Sequence, residues 1–190
     1  MSNKTLFSAA AALIVASAPM VWGEAHETAE NPAVGGAPMM ADMNIIENAV
    51  NSPIHTTLVA AVQAADLVET LQGPGPFTVF APTDAAFDMI TEESLNALLQ
   101  PEAKAQLTEI LTCHVVGAEA FSDAIGGMIA DDSGAHPVET LGGCTLMAEM
   151  SGDDITLTDE NDRTATVTIA DVDQSNGVIH VIDRVLLPQQ

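Results

Sequence analysis

The sequence predicts an α+β domain in which helices come first and antiparallel strands follow. Between residues 44 and 112, apolar residues recur mainly at helical spacing, with one β-type run at residues 77–81. From residue 113 onward, short apolar runs are separated by turn residues, as in a series of hairpins. No internal repeat is found, so we expect a single copy of one fold.

The composition indicates a folded but strongly acidic protein. The 190 residues include 27 Asp and Glu against 4 Lys and Arg, giving a formal net charge of −23, and 47% are hydrophobic. The apolar fraction is sufficient for one buried core, whereas the scarcity of cations excludes sequence-independent binding of nucleic acid and disfavours anionic lipid. We therefore expect partners that are neutral, basic or reached through divalent cations.

The first 23 residues predict an export signal. Lys4 is followed by an almost wholly apolar run of about 13 residues, which is shorter than the roughly 20 that span a bilayer. Cleavage is expected between residues 18 and 25, where no Cys is present to carry a lipid anchor. Residues 24–43 mix Glu, Ala, Pro and Gly without an apolar period, which predicts a flexible leader before a domain at residues 44–188.

The helical half begins at Asn44, whose side chain is suited to cap a first helix that a break at residues 51–53 ends. A second helix carries Leu58 and Val62 on one face, and a short third turn follows it. The sequence Gly-Pro-Gly-Pro at residues 73–76 then leads into the β-type run. This turn cannot cradle phosphate, because its prolines lack N–H donors and a strand follows it.

The next helices have recognisable starts. Thr83 and Asp84 supply an oxygen acceptor and a negative charge where a helix begins. Thr91 is followed by two Glu residues in the same way, and Pro101 suits the first turn of a helix that buries Leu107 and its neighbours.

The second half predicts mainly strands. Residues 113–116 form a first short run, and residues 121–125 hold one helical turn. The remaining runs, separated by turns at residues 142–143, 151–154 and 159–162, are residues 137–141, 144–150, 155–158, 165–169 and 178–187.

The two cysteines, Cys113 and Cys144, predict a disulfide. They are an even pair in a chain that is expected to reach an oxidising compartment, and two separate buried thiols are the alternative. A bridge closing this loop contributes on the order of 3–4 kcal/mol in the chain-entropy model. Because the spacing is not C-x-x-C, we expect a structural bridge rather than a zinc or redox site.

Three segments together resemble the fasciclin domain family. They are GPFTVFAPTDAAF at residues 75–87, LTCHVV at residues 111–116, and NGVIHVID at residues 176–183 with VLLP after it at residues 185–188. Their order and spacing fit the family, and the similarity covers about residues 43–188. The chain is therefore identified as a single-domain secreted member of bacterial type.

This resemblance implies both a fold and a function. The fold is a wedge-shaped, sandwich-like set of strands with several helices packed on it. The function is that of an exported, non-enzymatic cell-adhesion module, secreted, periplasmic or attached to the cell surface, that binds matrix proteins, other cells or glycans. Family members often carry Tyr before the His of the second segment, where this chain has Cys113. No receptor-contacting residue is therefore transferred, and the disulfide is expected to replace the lost aromatic packing.

The polar residues of these segments are interpreted as structural. Thr83 and Asp84 should satisfy N–H groups at a helix start, and Asp183 could pair with the arginine that follows it or with a buried donor. His114 and His180 lie among apolar neighbours, where a histidine is more often a hydrogen-bonded core group than a ligand or a base. No catalytic residue is assigned, because G-x-S-x-G, H-E-x-x-H and clustered His and Cys ligands are all missing from the sequence.

Calcium is the one cofactor that the sequence suggests. Acidic turns supply hard oxygen ligands at Asp153, Asp154, Asp159 and Asp162, although their spacing is not that of an EF-hand loop and solvated turns are the alternative. The second functional hypothesis is accordingly an acidic extracytoplasmic binding protein for a glycan, a small ligand or calcium. A hydrolase is a third, because Asp and Glu pairs are plentiful. We expect a monomer or a weak homo-oligomer.

Overall fold

The computed structural model describes residues 31–189, so the predicted export signal lies outside the described residues. Seven α-helices occur in this range, with a 3-10 turn at Pro101–Ala103 before the sixth. The helices are Ile45–Asn51 (α1), Thr56–Ala64 (α2), Val68–Leu71 (α3), Asp84–Phe87 (α4), Glu92–Leu98 (α5), Lys104–Thr112 (α6) and Ser122–Asp131 (α7). The seven strands are Phe77–Pro82 (β1), Val115–Val116 (β2), Ala135–Glu139 (β3), Thr145–Ser151 (β4), Asp154–Thr158 (β5), Thr164–Gln174 (β6) and Gly177–Ile182 (β7). The predicted mixed α+β class is confirmed.

The strands form one seven-stranded sheet in the order β2-β1-β7-β6-β5-β4-β3. All neighbouring pairs are antiparallel except β1 and β7, which run parallel in a register from Phe77 opposite Gly177 to Pro82 opposite Ile182. β6 has 11 residues and two register shifts against β7. Such irregularities bend a strand, and β6 therefore belongs to both halves of the sheet.

The two halves of the sheet bury two apolar clusters. One lies between α1–α6 and the faces of β1 and β7 that carry Val79 and Val181. The other lies between α7 and the hairpin strands, and it includes Phe80 and Ile182 from the opposite faces of the same two strands. Because successive side chains of a strand point to opposite faces, β1 and β7 are covered on both sides. This agrees with the apolar character of both faces of the run at residues 77–81.

The predicted helix starts are present. The Asn44 side chain accepts hydrogen bonds from the N–H groups of Ile46 and Glu47, both at 3.0 Å, and the Glu47 carboxylate accepts one from the Asn44 N–H at 2.9 Å. Thr83 and Thr91 likewise cap α4 and α5 through their hydroxyl oxygens. Local side-chain chemistry therefore sets where these helices begin.

The N-terminal boundary differs from the expectation of a flexible leader over residues 24–43, of which residues 24–30 lie outside the described residues. Residues 31–43 lie against the domain, with Val34 and Met39 buried in its larger apolar cluster. The Asn48 side chain of α1 accepts a hydrogen bond from the Met40 N–H at 3.0 Å and donates one to the Met40 carbonyl at 2.7 Å. Burial of two separated apolar side chains, which leave no periodic pattern in the sequence, holds this segment in place.

Two further boundaries differ. The predicted helical turn at residues 121–125 is the start of the ten-residue helix α7, whose Ile125 and Ile129 are buried. The predicted final strand at residues 178–187 ends as β7 at Ile182, and the chain beyond it follows the β5–β6 turn instead.

The parallel pairing of β1 and β7 requires close backbone contact at its start. A Cβ atom on Gly177, whose φ is +152°, would lie 2.0 Å from the Phe77 carbonyl oxygen, and a Cβ on Gly75 would lie 2.0 Å from that of Asn176. The close approach of the two backbones therefore explains why glycine occupies these positions in the first and third segments. Among residues 31–189, none of the helices has the length and apolarity that crossing a bilayer requires.

Candidate functional site

Asp84 joins two helices. Its carboxylate accepts hydrogen bonds from the Thr57 N–H at 2.8 Å and from the Thr56 hydroxyl at 2.8 Å and N–H at 3.3 Å, which lie at the start of α2. Partial burial opposes ionisation, but these hydrogen bonds outweigh it and hold the pKa of Asp84 below its ordinary value. The residue therefore caps α2 from a distance, while Thr83 caps α4.

His114 is a buried link between α6 and the C-terminal segment. Nδ1 lies 2.8 Å from the Ile110 carbonyl oxygen, and Nε2 accepts a hydrogen bond from the Leu186 N–H at 2.9 Å. These partners determine the neutral tautomer with the proton on Nδ1. Burial lowers the pKa of His114 to about 4, so the ring is neutral at pH 7.

His180 has the same kind of role in β7. Its Nε2 lies 2.8 Å from the Ala120 carbonyl oxygen, and Nδ1 accepts a hydrogen bond from the Asp171 N–H at 3.3 Å. The ring also stacks on Phe80, with centroids 5.8 Å apart. Burial lowers the pKa of His180, partly opposed by the Ala120 carbonyl and the Asp171 carboxylate.

Asp183 and Asp159 hold backbone near the C-terminus. The Asp183 carboxylate accepts a hydrogen bond from the Thr166 N–H at 2.7 Å, so it satisfies a backbone donor rather than forming an ion pair with Arg184. Asp159, which is 4% exposed, forms an ion pair with Arg163 at 2.7 Å.

The Asp159 carboxylate also accepts hydrogen bonds from three backbone N–H groups, including that of Leu187 at 3.0 Å. Burial opposes its ionisation, but these hydrogen bonds, led by that from Arg163, hold the pKa of Asp159 below its ordinary value.

The suggested calcium ligands are not brought together. Asp153 and Asp154 lie at the β4–β5 turn, whereas Asp159 and Asp162 lie at the β5–β6 turn. Both oxygens of Asp159 are already occupied by protein donors. No group of three or more His, Cys, Asp or Glu side chains in the described part of the chain is placed to hold a metal ion.

The structure contains the disulfide between Cys113 and Cys144, with Cα atoms 5.4 Å apart and a sequence separation of 31. It joins the end of α6 to the residue before β4, and both cysteines are buried. The bridge therefore links the helical half of the chain to the hairpin half.

The sequence-derived motif residues do not form a common site. Asp84, His114 and His180 share no hydrogen-bond partner, and they bond to groups of different elements. Each instead satisfies backbone groups of a different element. The arrangement is that of a framework.

A cavity that the motifs did not indicate lies between α1, α2 and the β1–β7 pair. Its volume is about 70 Å³, and its lining is mainly aliphatic. One polar side chain of the lining, His55, is buried, and its Nδ1 lies 2.8 Å from the Ser52 hydroxyl oxygen.

His55 is neutral in this environment. Burial lowers its pKa, and the nearby Ala81 carbonyl and Asp84 carboxylate only partly oppose that shift. The burial of His55 could be predicted from the sequence. His55 precedes Leu58 and Val62 by three and seven residues, so it lies on the same buried face as these two residues of α2.

Comparison with known proteins agrees with this fold. The family model described as Fasciclin domain matches residues 53–188. Protein sll1483 of Synechocystis sp. is 39% identical over 182 residues, covering 96% of this chain and 94% of the relative. Cell surface glycolipoprotein MPB83 of Mycobacterium bovis is 33% identical over 172 residues, covering 87% of this chain and 70% of the relative.

A solved structure shares the fold. It is a FAS1 domain pair from the insect cell adhesion molecule Fasciclin I, with a TM-score of 0.67 and 19% sequence identity. The similarity covers 76% of this chain and about half, 51%, of that one. At this identity the likeness concerns the fold alone.

Proposed function

The chain belongs to the fasciclin domain family, and from this membership we propose that it is an exported, non-enzymatic cell-adhesion module. Its partners are components of a cell surface or an extracellular matrix. One observation carries the proposal: polar side chains of all three family segments are bonded to backbone groups of other elements. Asp84, His114 and His180 are examples from the three segments.

Polar groups that are already bonded to the backbone favour a binding function over a catalytic one. A catalytic base or nucleophile needs a partner within hydrogen-bond reach and space for a reacting atom. The buried histidines of the segments have both ring nitrogens occupied by backbone groups. The domain is then a rigid body that presents its outer surface to a partner.

The named relatives support an extracytoplasmic location. MPB83 is described as a cell surface glycoprotein bearing lipid, and the similar structure comes from an insect cell adhesion molecule. We place this chain in the periplasm, on the cell surface or in the medium, with residues 1–23 as the export signal. The charge of −23 restricts its partners to neutral or basic surfaces, or to anionic surfaces bridged by divalent cations.

A gene deletion, complemented by two versions of the chain, tests the proposal. Deleting the gene should lower attachment of cells to one another or to a surface, and the whole chain should restore it. A chain lacking residues 1–23 is the matched control, and it should fail to restore attachment because it is not exported. Attachment is measured by counting bound cells after washing.

Unchanged attachment in the deletion strain contradicts the proposal. Full complementation by the chain without residues 1–23 contradicts the export part of it. The purified chain should also show no turnover of esterase and glycosidase substrates. A reproducible activity of the folded chain that is lost when the same sample is unfolded contradicts the non-enzymatic assignment.

The second candidate function is that of an acidic extracytoplasmic binding protein. Among a glycan, calcium and a small ligand, the structure favours the small ligand. The carboxylates suggested for calcium lie on two different turns, and the chain has only 3% aromatic residues for stacking on sugars. The cavity beside His55, by contrast, supplies about 70 Å³ of mainly apolar space.

A further inference from the structure

The start of α7 is held by a side chain of another element. The Asp171 carboxylate of β6 accepts hydrogen bonds from the N–H, at 2.6 Å, and from the hydroxyl of Ser122, which is the first residue of α7. Phe121, the residue before it, supplies no side-chain cap. The first N–H groups of a helix lack partners within the helix, and a negative charge is favourable there. Asp171 therefore acts as the cap of α7.

Asp171 lies at an irregular point of β6. The register of β6 against β7 shifts between Ile169 and Val172, and Asp171 has a φ of +58°. A positive φ is uncommon for residues other than glycine, although Asp adopts it more readily than most. In this conformation the Asp171 N–H donates to His180 Nδ1 at 3.3 Å while the carboxylate reaches α7. One residue therefore connects His180 with the start of the helix.

His180 also holds the segment that leads into α7. Its Nε2 lies 2.8 Å from the Ala120 carbonyl oxygen. Because Nδ1 accepts a hydrogen bond, the neutral ring carries its proton on Nε2 and donates it to this carbonyl. The Thr78 hydroxyl holds the same segment, donating to the Ala118 carbonyl at 2.7 Å and accepting from the Ala120 N–H at 2.9 Å. Of these two side chains, His180 is the one that can change its charge.

The protonated ring cannot keep the hydrogen bond from the Asp171 N–H. Both nitrogens of an imidazolium are donors, so two N–H groups would face each other at Nδ1. Burial lowers the pKa of His180, and the Asp171 carboxylate is the nearby anion whose charge partly opposes that shift. This carboxylate is therefore the acceptor that the new N–H attracts. Movement toward the ring takes it away from Ser122.

The other charged groups around His180 are placed less favourably. Strands β1 and β7 carry no carboxylate or cation. Glu119 in the segment before α7 and Asp123 in the first turn of α7 are both exposed. Asp173 of β6 lies opposite Val178, further along the sheet. Among the charged side chains of the described residues, Asp171 is the one that acts on the ring.

Helix α7 has little intrinsic stability of its own. Its interior contains Gly126 and Gly127, and glycine is the least favourable helix residue after proline. Its buried apolar contacts are those of Ile125 and Ile129 with the hairpin strands. Loss of the cap should therefore loosen α7 before the rest of the fold.

From these contacts we propose that α7 is an acid-released helix, in which protonation of His180 draws the Asp171 carboxylate away from Ser122. Release exposes the apolar face that Ile125 and Ile129 bury against the hairpin strands. Because burial lowers the pKa of His180, the attachment is complete above pH 6.5 and is lost as the pH falls below it. Opening gives the ring access to water, which favours its charged form, so protonation and release reinforce each other. This device is separate from adhesion and does not rest on it.

Amide hydrogen exchange of the whole chain between pH 7 and pH 5 tests the proposal. Each rate is divided by that of the unfolded chain at the same pH, which removes the intrinsic effect of pH. The Ile125 N–H of α7 donates to the Phe121 carbonyl at 3.0 Å, and the Ala65 N–H at the end of α2 donates to the Ala61 carbonyl at 3.0 Å. Protection of the first should fall at least tenfold more than protection of the second. Equal losses show opening of the whole fold and overturn the proposal.

A variant of His180 tests the role of the ring. His180→Gln takes up no proton in this range, so the additional loss of protection in α7 should disappear. An additional loss that persists in the folded variant overturns the proposal. If this variant does not fold, the His180 ring signals of the unchanged chain decide the same point, because their titration must share its midpoint with the release of α7. Different midpoints overturn the proposal.

Two amide variants test the role of the carboxylate. Asp171→Asn keeps an oxygen that can cap Ser122 but removes the charge that attracts the imidazolium, so the midpoint of release should move to lower pH. Asp123→Asn is the matched control, because it removes an exposed charge from the first turn of the same helix. It should leave the midpoint unchanged. An unchanged midpoint in Asp171→Asn, or an equal shift in both variants, overturns the role given to Asp171.

Discussion

Asp84 shows how an acidic side chain of one helix can stabilise the start of another helix. It belongs to α4, yet its carboxylate receives three hydrogen bonds from Thr56 and Thr57 at the start of α2. Hydrogen bonds to a charged acceptor are stronger than neutral ones, and a negative charge is favourable at a helix N-terminus.

Replacing Asp84 with Asn should therefore destabilise the protein. The amide keeps the size of the side chain but loses the charge and one acceptor, and we expect a decrease of about 1–2 kcal/mol in the free energy of unfolding. Urea unfolding at pH 7 measures it. Asp88→Asn is the matched control at an exposed acidic residue of the same segment, and it should change stability by less than about 0.5 kcal/mol. Equal effects of the two substitutions contradict the role given to Asp84.

His114 is the residue whose environment departs furthest from water. Burial lowers its pKa to about 4 from an ordinary value of 6.5. Its ring signals in a nuclear magnetic resonance titration should accordingly show no protonation between pH 7 and pH 5.5. A midpoint near 6.5 while the protein remains folded would show that the ring is accessible to water and contradict the described contacts.

At the scale of elements, the start of the β1–β7 pair is the most constrained point. The two strands approach so closely that neither Gly75 nor Gly177 has room for a Cβ atom. The two strands are parallel neighbours although they are about 100 residues apart in the chain, with Phe77 opposite Gly177.

Gly177→Ala should therefore be strongly destabilising, by more than about 3 kcal/mol, because the new methyl group meets the Phe77 carbonyl and the backbone is held at positive φ. Gly126→Ala in α7 is the control, since nothing lies within 4 Å of its Cβ position. That change should instead stabilise the protein by about 0.5–1 kcal/mol, through the better helix propensity of Ala. Thermal unfolding of both variants measures the contrast, and a Gly177→Ala protein as stable as the unchanged chain contradicts the proposed close approach.

α7 and the N-terminal segment show where element boundaries are poorly marked in the sequence. Two successive glycines, Gly126 and Gly127, weaken the helical pattern of α7, yet Ile125 and Ile129 are buried against the hairpin strands. Tertiary packing outweighs the low intrinsic propensity of glycine here. In residues 31–43, Val34 and Met39 are spaced like neither a helix nor a strand, and their burial depends on a surface formed by distant elements.

At the scale of the whole molecule, buried neutral histidines and hydrogen-bonded carboxylates make the fold sensitive to acid. The pKa values of His55, His114 and His180 are lowered in the folded protein, mainly by burial. Their contribution to stability is complete above pH 6.5 and is lost as the pH falls toward the folded values, because the unfolded chain takes up protons first. The lowered pKa values of Asp84 and Asp159 extend the loss below about pH 3.8.

The free energy of unfolding should therefore fall steadily from pH 7 to pH 4.5, by on the order of 2–3 kcal/mol from His114 alone. Loss of negative charge acts in the opposite direction, because it reduces repulsion within a chain of net charge −23. Urea unfolding in about 1 M salt, where the Debye length is about 3 Å, screens that repulsion and isolates the effect of the histidines. A free energy of unfolding that is constant or rises between pH 7 and pH 4.5 in this buffer contradicts the prediction.

Features that depend on neighbouring residues could be read from the sequence. The helix caps at Asn44, Thr83 and Thr91 and the hairpin turns follow from short-range chemistry and periodicity. The pairing of Cys113 with Cys144 followed from their number and from the expected compartment, and it is present in the structure.

Only the tertiary structure decided which distant surfaces meet. It placed β1 beside β7, packed residues 31–43 against the domain, and buried His55 beside a cavity between α1, α2 and the sheet. The physical reason is that the periodic pattern of apolar residues indicates which side chains are buried. The residues that they contact depend instead on how separate elements pack.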